Sequence, residues 1–470
     1  MPGLLIAVIL IASLLLVHFS LRAQPMPEEH PLDVDEGLPL PEVGQASTVV
    51  SLTALFGAYF GITILLGLPA LLGLAFGTAL GLFLVRAWID KHKPKRFEDF
   101  LSGILTGDEK NISVYALAIS IVQCAYATSE LLVLREIAKV SFGVRSEQAT
   151  MLVVGVGIIG YFYVLFGGYM AVFRTDILQF VLVGVMAVTF CVILFSGNPS
   201  IAWSSKLLPR PGYWTLPIID SGVPLYCYHF IIATVMGGGF LAASPDTWKR
   251  VFLVSRIKRQ PSLRFLTLVS VGVLPYLMLL PFAAVIGPVP DGSVNVGEMF
   301  SSLLRNEALF VTAVLGLVAS FLSAFDSALL ASVHVGLMQQ RKKAPVNPEA
   351  PRFHWLMVTA LVTIYCLFTA LTTFGNPYLL ANLLLGAYSL IAGVQIGTRG
   401  IVSRLPGNSL LWIYVVGIVA WFLYFVGYQG IPTVPITYQI NTVPVGVLLV
   451  IATACACQLL IAGGRKHVRP

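Results

Sequence analysis

Long apolar runs separated by short polar segments make up most of the chain. Each run is about 20 residues, the length that spans a bilayer as a helix. The apolar positions are continuous rather than alternating, which favours helices over the strands of a barrel. The pattern therefore predicts an all-α, polytopic membrane protein with about thirteen transmembrane helices. The predicted spans are 4–21, 47–66, 68–89, 112–138, 149–166, 172–196, 224–243, 264–287, 308–336, 354–374, 378–398, 409–428 and 440–462.

Composition and charge agree with this class and add an orientation. Of the 470 residues 57% are hydrophobic and 11% are charged, against about 25% charged in a soluble domain. If the N-terminus lies outside, most of the 29 lysine and arginine residues fall in cytoplasmic loops, including 91–96 and 249–264. The net charge of +7 is then a topology signal rather than a sign of nucleic-acid binding. We expect a multi-pass protein of the plasma (inner) membrane with a cytoplasmic C-terminus and a retained first span.

Glycine and proline interrupt two of the predicted helices. One interruption is "MGGGFLAASPD", residues 236–246, and the other carries Gly57, Gly61 and Gly67 five helices earlier. Interrupted helices at corresponding places in two halves are typical of secondary transporters. An offset of five helices gives the halves inverted topology. We therefore predict inverted five-helix repeats with broken first and sixth core helices. The expected units are 1–45 (an extra helix and an acidic linker), 46–200 and 201–400 (the repeats), and 401–470 (two further helices and a basic tail).

Two longer motifs resemble the sodium:solute symporter family. They are "FGGYMAVFRTDILQ" (166–179) and "VASFLSAFDSALLAS" (318–332). The segment "SPDTWKRVFLVSR" (244–256) is similar to the family's sequence after the helix break, and "GLP" (67–69) to the end of its first core helix. The resemblance implies a five-plus-five inverted-repeat fold with an additional N-terminal helix.

The resemblance also implies two sodium sites. The first would use backbone carbonyls of Gly57 and Phe60 with the hydroxyls of Ser320 and Ser323. The family usually has another hydroxyl at the next position, where this chain has Ala324. The second site, present in some family members, would use these oxygen-bearing residues: Asp176, Ser323, Asp326 and Ser327.

The second site also has support from spacing alone. Ser320, Ser323 and Ser327 share one helix face. A carboxylate inside a membrane helix is costly and usually faces a pathway or a partner. Sodium is one candidate occupant, and a proton shared between Asp176 and Asp326 is another. The alternatives left open are an Asp176–Arg174 pair and serines that serve only close packing.

Substrate contacts are expected near the helix breaks and on the third core helix. Exposed helix ends favour anionic groups. Tyr126 matches a tyrosine that some family members use in the pocket, and Gln123 and Glu130 share its helix face. The predicted substrate-binding residues are Tyr59, Thr63, Gln123, Tyr126, Gly239, Ser244, Asp246 and Asn382. Pro245 and Asp246 have an equally favoured structural interpretation, as a helix stop followed by a cap.

These features predict a cation-coupled symporter, with sodium as the expected ion, that imports a small organic solute by alternating access. Its expected partners are the solute, the coupling cation and the bilayer, with no other cofactor. The alternatives are a proton-coupled transporter and a non-transporting sensor or accessory subunit that keeps the fold. No enzyme is expected, because the sequence has no G-x-S-x-G or H-E-x-x-H motif.

Overall fold

The computed structural model describes residues 55–92, 109–195, 230–231, 233–235, 237–238, 244–255 and 307–341. Within these ranges the chain is helical except at residues 143–145 and Ser244, and it has no strand, as predicted. Five long or well-defined helices are α1 (Leu55–His92), α2 (Glu109–Phe142), α3 (Ser146–Phe195), α4 (Pro245–Ser255) and α5 (Glu307–Arg341). A further helical stretch before α4, here called the 230–238 segment, comprises the described residues between those numbers. The other predicted spans lie outside the described residues.

The surface of the described helices is apolar in regular stripes. On α3, large apolar side chains are exposed at three- and four-residue intervals at Met151, Val154, Ile158 and Phe162, and again at Val181, Val185, Val188 and Val192. Two helical stretches, Ala70–Lys91 and Phe310–Ser332, are long and apolar enough to cross a membrane. Acidic and basic side chains, in contrast, lie in the interior at Glu130, Asp176, Arg250 and Asp326. An apolar exterior around a charged interior is the arrangement of a membrane protein.

Helix α5 is the centre of the described bundle. It contacts all four other helices. Its side chains at Ala313, Leu317, Phe325 and Leu329 are fully buried. Against α2, the Ser332 hydroxyl donates to the Ser120 carbonyl at 3.4 Å and lies 3.5 Å from the Cys124 sulfur. Residues of α5 therefore face several neighbouring helices at once, which suits this helix to carry a shared polar site.

Helix α3 is helical over 50 residues, and its contacts with α5 show that it is bent. A straight helix of that length would extend about 75 Å, more than twice the bilayer core. Asp176 contacts Ser323, and Met186 lies against Gly316, so the second half of α3 runs antiparallel to α5. The Tyr161 ring also lies against Phe325, with ring centroids 6.1 Å apart. Residue 161 of a straight helix would lie about 22 Å beyond residue 176, so the chain must bend between them. The predicted spans 149–166 and 172–196 both lie within this one helix, and the predicted connection at 167–171 is helical.

The predicted interruption of the first core helix differs from the structure. Helix α1 runs from Leu55 without a non-helical residue through Gly57, Gly61, Gly67 and Pro69. The glycines are tolerated because, in a bilayer, no water competes for the helical backbone hydrogen bonds. The second predicted interruption agrees better: residues 230–238 are helical where described, Ser244 is not helical, and α4 begins at Pro245.

Two other glycines of α1 allow the close approach of a neighbouring helix. A Cβ atom on Gly77 would collide with the Thr234 carbonyl oxygen and lie 2.8 Å from the Gly238 amide nitrogen. A Cβ atom on Gly73 would collide with the Phe230 carbonyl in the same way. Small residues four apart are typical of closely packed membrane helices. The predicted interruption involves the glycines before Pro69, and the close contact at Gly73 and Gly77 is not evident from the sequence.

Candidate functional site

Helix α4 begins with a favourable arrangement for an N-terminus. Pro245 has no amide hydrogen to leave unpaired at the first helical position. The Trp248 amide donates to the Ser244 carbonyl at 3.1 Å, which closes the first turn. Asp246 places its negative charge in that turn, where the helix dipole stabilises it. These contacts support the structural interpretation of Pro245 and Asp246, but Asp246 also has a longer-range role.

Asp246 holds the side chain of Arg250 one turn later. The Arg250 Nε donates to Asp246 Oδ2 at 2.7 Å. The Arg250 Nη1 donates to Asp176 Oδ2 on α3 at 3.1 Å, and Nη2 donates to the Ser327 hydroxyl on α5 at 2.7 Å. The Arg250 side chain is only 1% exposed. One guanidinium therefore connects three helices inside the bundle.

The partners of Arg250 are also connected to one another. The Ser323 hydroxyl donates to Asp176 Oδ1 at 2.5 Å. The Ser327 hydroxyl accepts from Arg250 and donates to Asp326 Oδ1 at 3.4 Å. The structure thus brings together all four residues predicted for the second sodium site. We call this set, with Arg250 and Asp246, the charged cluster: Asp176, Asp246, Arg250, Ser323, Asp326 and Ser327.

Arg250, the central member of the charged cluster, is not among the site residues predicted from the sequence. The sequence predicts a cytoplasmic loop over 249–264, but Lys249 and Arg250 are helical and buried in α4. That assignment was wrong for these two residues because the buried side chain of Arg250 has carboxylate partners on two helices. The available signal was the i, i+4 spacing of Asp246 and Arg250. Asp176 pairs with Arg250. The alternative Asp176–Arg174 pair stays a prediction, because the Arg174 side chain lies outside the described part.

The residues predicted for the first sodium site are only partly described. Ser320 and Ser323 are buried on α5. The Ser320 hydroxyl has no hydrogen-bond partner among the described residues. Gly57 and Phe60 are helical, in contrast to the predicted break in the first core helix, and the Phe60 side chain lies outside the described part. This site stays a prediction.

The predicted substrate residues fall into three groups. Gln123 and Tyr126 on α2 are buried, as are Ser244 and Asp246. Tyr59 and Thr63 lie on α1, where only the backbone is described, and Gly239 and Asn382 lie outside the described residues. Glu130 is buried beside this group, and its Oε2 atom finds no hydrogen-bond partner in the described part of the chain. No described contact joins Gln123 or Tyr126 to the charged cluster.

The oxygens of the charged cluster are of the kind that bind a small hard cation, although the Arg250 guanidinium already contacts three of the cluster's side chains. The cluster presents carboxylate and hydroxyl oxygens, the ligands that alkali and alkaline-earth ions prefer. Over the described ranges, no group of three or more histidine, cysteine, aspartate or glutamate residues is placed to hold a metal ion.

Comparison with known proteins places this site in a known fold. No family model matches the chain, and no curated protein matches it in sequence. A solved Na⁺-coupled sialic acid symporter, in its substrate-bound outward-open state, is similar with a TM-score of 0.67, 14% identity, and coverage of 98% of this chain and 97% of that chain. The chain shares its overall fold with this symporter. A variant of the Eremococcus coleocola manganese transporter is also similar, with a TM-score of 0.50, 13% identity, and coverage of 91% of this chain and 98% of that chain.

Both solved proteins are transporters rather than enzymes. At these identities the likeness establishes the fold of the chain. The sodium:solute symporter family, the number of helices and the inverted repeat remain predictions from the sequence.

Proposed function

We propose that the protein is a cation-coupled symporter, with sodium as the coupling ion, that imports a small organic solute by alternating access. The observation that carries this proposal is the charged cluster, which lies at the junction of α3, α4 and α5 in a membrane-embedded bundle. Charged groups inside a membrane protein mark ion or substrate pathways more often than they stabilise the fold. The similarity of fold to a Na⁺-coupled symporter supports the same function.

The proposed mechanism depends on the junction between the 230–238 segment and α4. Ser244, immediately before α4, is not helical, and we infer that α4 and the 230–238 segment can move as separate rods. A cation bound by Ser320 and Ser323 would hold α5 in the outward-open arrangement. Solute binding near the break, with Gln123 and Tyr126 as the expected pocket residues, would then close the outer side.

Sodium binding is expected to raise the thermal stability of the purified protein. A ligand that binds only the native state stabilises it once its concentration exceeds the dissociation constant. The unfolding temperature is measured in detergent while choline chloride is replaced by sodium chloride at constant ionic strength. The stabilisation should be lost in Ser320→Ala, because the hydroxyl oxygen that is free to bind the ion is removed.

A serine on the same helix provides the matched control for this experiment. Ser332 is equally buried on α5, but its hydroxyl donates to the Ser120 carbonyl on α2. The Ser332→Ala protein should keep the sodium response of the unmodified protein. An unmodified protein with no sodium response would contradict sodium coupling, and equal loss in both variants would contradict the role of Ser320.

Proton coupling is the second candidate, and Glu130 is the observation that favours it. This carboxyl group is buried on α2, and one of its oxygens has no hydrogen-bond partner among the described residues. An ionised carboxylate in that position is strongly disfavoured. The group would therefore exchange a proton when the transporter opens. No observation in the described part favours the sensor or accessory-subunit alternative.

Replacement of Glu130 by glutamine distinguishes the two coupling ions. We expect Glu130→Gln to keep or raise thermal stability at pH 8, because a neutral amide avoids the cost of a buried charge. If protons drive transport, the variant should also lose any pH-dependent change in unfolding temperature. Gln179→Glu is the reciprocal control, because it replaces a buried amide by a carboxyl group. Gln179 is buried on α3, and its Oε1 atom, like Glu130 Oε2, has no hydrogen-bond partner within the described ranges. A large destabilisation of Glu130→Gln at pH 8 would contradict this assignment.

A further inference from the structure

The guanidinium of Arg250 has a partner for each of its three nitrogen atoms. Nε, Nη1 and Nη2 donate to Asp246, Asp176 and Ser327 respectively, at 2.7, 3.1 and 2.7 Å. A planar guanidinium is rigid, so three partners from three helices fix both its position and its orientation.

The oxygens around Arg250 are those of the predicted second sodium site. Asp176 and Ser327 contact the guanidinium directly, while Ser323 and Asp326 contact Asp176 and Ser327. We propose that Arg250 is the resident cation of this cluster. Its tethered guanidinium takes the place of a second sodium ion, and removal of the side chain turns the cluster into a binding site for a small monovalent cation from solution. This inference goes beyond the proposed function, since it requires no solute and no transport.

The balance of charge supports a resident cation. Two carboxylates, Asp176 and Asp246, contact one guanidinium, so the directly bonded groups carry a formal charge of −1 when ionised. Without the guanidinium, two carboxylates would remain buried without a direct counter-charge. Buried ions that lose their partner are strongly disfavoured unless another ion or a proton replaces it.

Asp246 provides a second indication that the cluster can accept a ligand. Its Oδ2 atom binds Arg250, but its Oδ1 atom is buried and has no hydrogen-bond partner in the described part of the chain. A cation seated where the guanidinium now lies would therefore find unused coordinating capacity on Asp246, as well as the oxygens of Asp176 and Ser327. Hydroxyl and carboxylate oxygens are suitable ligands for such an ion.

The first experiment measures the response of Arg250→Ala to cations in the full-length protein. The unfolding temperature is followed in detergent while choline is replaced by millimolar guanidinium or by sodium at constant ionic strength. We expect guanidinium to stabilise Arg250→Ala and not the unmodified protein. At ten times the dissociation constant, the unfolding equilibrium constant should fall about elevenfold. Arg250→Gln is measured in parallel, because it keeps a hydrogen-bond donor if the alanine variant does not fold.

Arg86 offers a matched control for the removal of a buried arginine. Its Nε donates to Asp90 Oδ2 at 2.7 Å with the same i, i+4 spacing as the Arg250–Asp246 pair. The Asp90 side chain is 57% exposed, however, so water can solvate the carboxylate when the arginine is removed. Arg86→Ala should therefore gain no response to guanidinium. Equal responses of the Arg86 and Arg250 variants, or none in either Arg250 variant, would overturn the proposal.

A second experiment tests the same inference in a protein that keeps Arg250. Asp176→Asn should leave the apparent sodium affinity within about twofold of the unmodified value, because the guanidinium, not sodium, is bound at this carboxylate. A tenfold or larger loss of sodium affinity would overturn the proposal. If the unmodified protein does not respond to sodium, the proposed sodium coupling fails, and the guanidinium response of the Arg250 variants still decides this inference.

Discussion

Replacement of Arg250 by methionine is expected to lower the free energy of unfolding by about 3–5 kcal/mol, the range seen when one partner of a buried ion pair is removed. Methionine keeps much of the side-chain volume, so the loss would come from charge and hydrogen bonding rather than from a cavity. Asp176 and Asp246 would stay buried without their shared counter-ion. Equilibrium unfolding in mixed detergent micelles, followed by circular dichroism, measures the change.

A variant without any of the three charges should recover most of this stability. Replacement of a whole buried ion-pair network by apolar residues is often neutral or stabilising by about 1–4 kcal/mol. We therefore expect Arg250→Met combined with Asp176→Leu and Asp246→Leu to be more stable than Arg250→Met alone. If the cluster serves transport, the triple variant should fold and yet show no solute uptake.

The control for this series is Arg86→Met, which should change stability by less than about 1 kcal/mol, as expected for a pair with an exposed partner. A triple variant no more stable than Arg250→Met would contradict the explanation by unpaired charge. It would show instead that the three side chains stabilise the bundle by their packing and hydrogen-bond geometry.

The second large effect is expected at Gly77, where a single methyl group should destabilise the protein by about 1–3 kcal/mol. The added carbon of Gly77→Ala would collide with the Thr234 carbonyl and approach the Gly238 amide to 2.8 Å. Both of these contacts are with backbone, which cannot rotate away as a side chain can. The 230–238 segment would have to move away from α1, and the change would reach the helix break before α4.

Gly155 on α3 is the matched control for Gly77. It is also a helical glycine, but a Cβ atom there would have no neighbour within 4 Å. Gly155→Ala should be neutral or slightly stabilising, because alanine has the higher helix propensity by about 1 kcal/mol. Thermal unfolding of the two variants in detergent compares them directly. Similar melting temperatures for both would contradict the proposed close packing at Gly77.

Some of the candidate site was predictable from the sequence because it depends on helical spacing. Ser320, Ser323 and Ser327 share one face of a single helix, and a membrane carboxylate such as Asp176 requires an internal partner. Both expectations rest on local geometry and on the cost of burying charge. The contact of Asp176 with Ser323, across 147 positions, came from the family resemblance rather than from spacing.

Other features could not be predicted because they depend on contacts between distant segments. Arg250 looked like the start of a basic loop, since sequence position alone gives it no buried partner. Its place inside the bundle depends on Asp176 and Ser327, which lie 74 and 77 positions away. Gly73 and Gly77 were similarly indistinguishable from other membrane glycines until the 230–238 segment was seen to pack against them.

The sequence by itself determined that this chain is an all-helical membrane protein, because continuous apolar runs of that length have one stable arrangement in lipid. It also determined which residues of α5 share a face, because the helical repeat is fixed. Only the tertiary structure decided that α3 bends against α5 and that α4 inserts a charged side chain between α3 and α5. The physical reason is that burial of an arginine becomes favourable only when carboxylates from separate helices converge on it, and that convergence belongs to the packed fold.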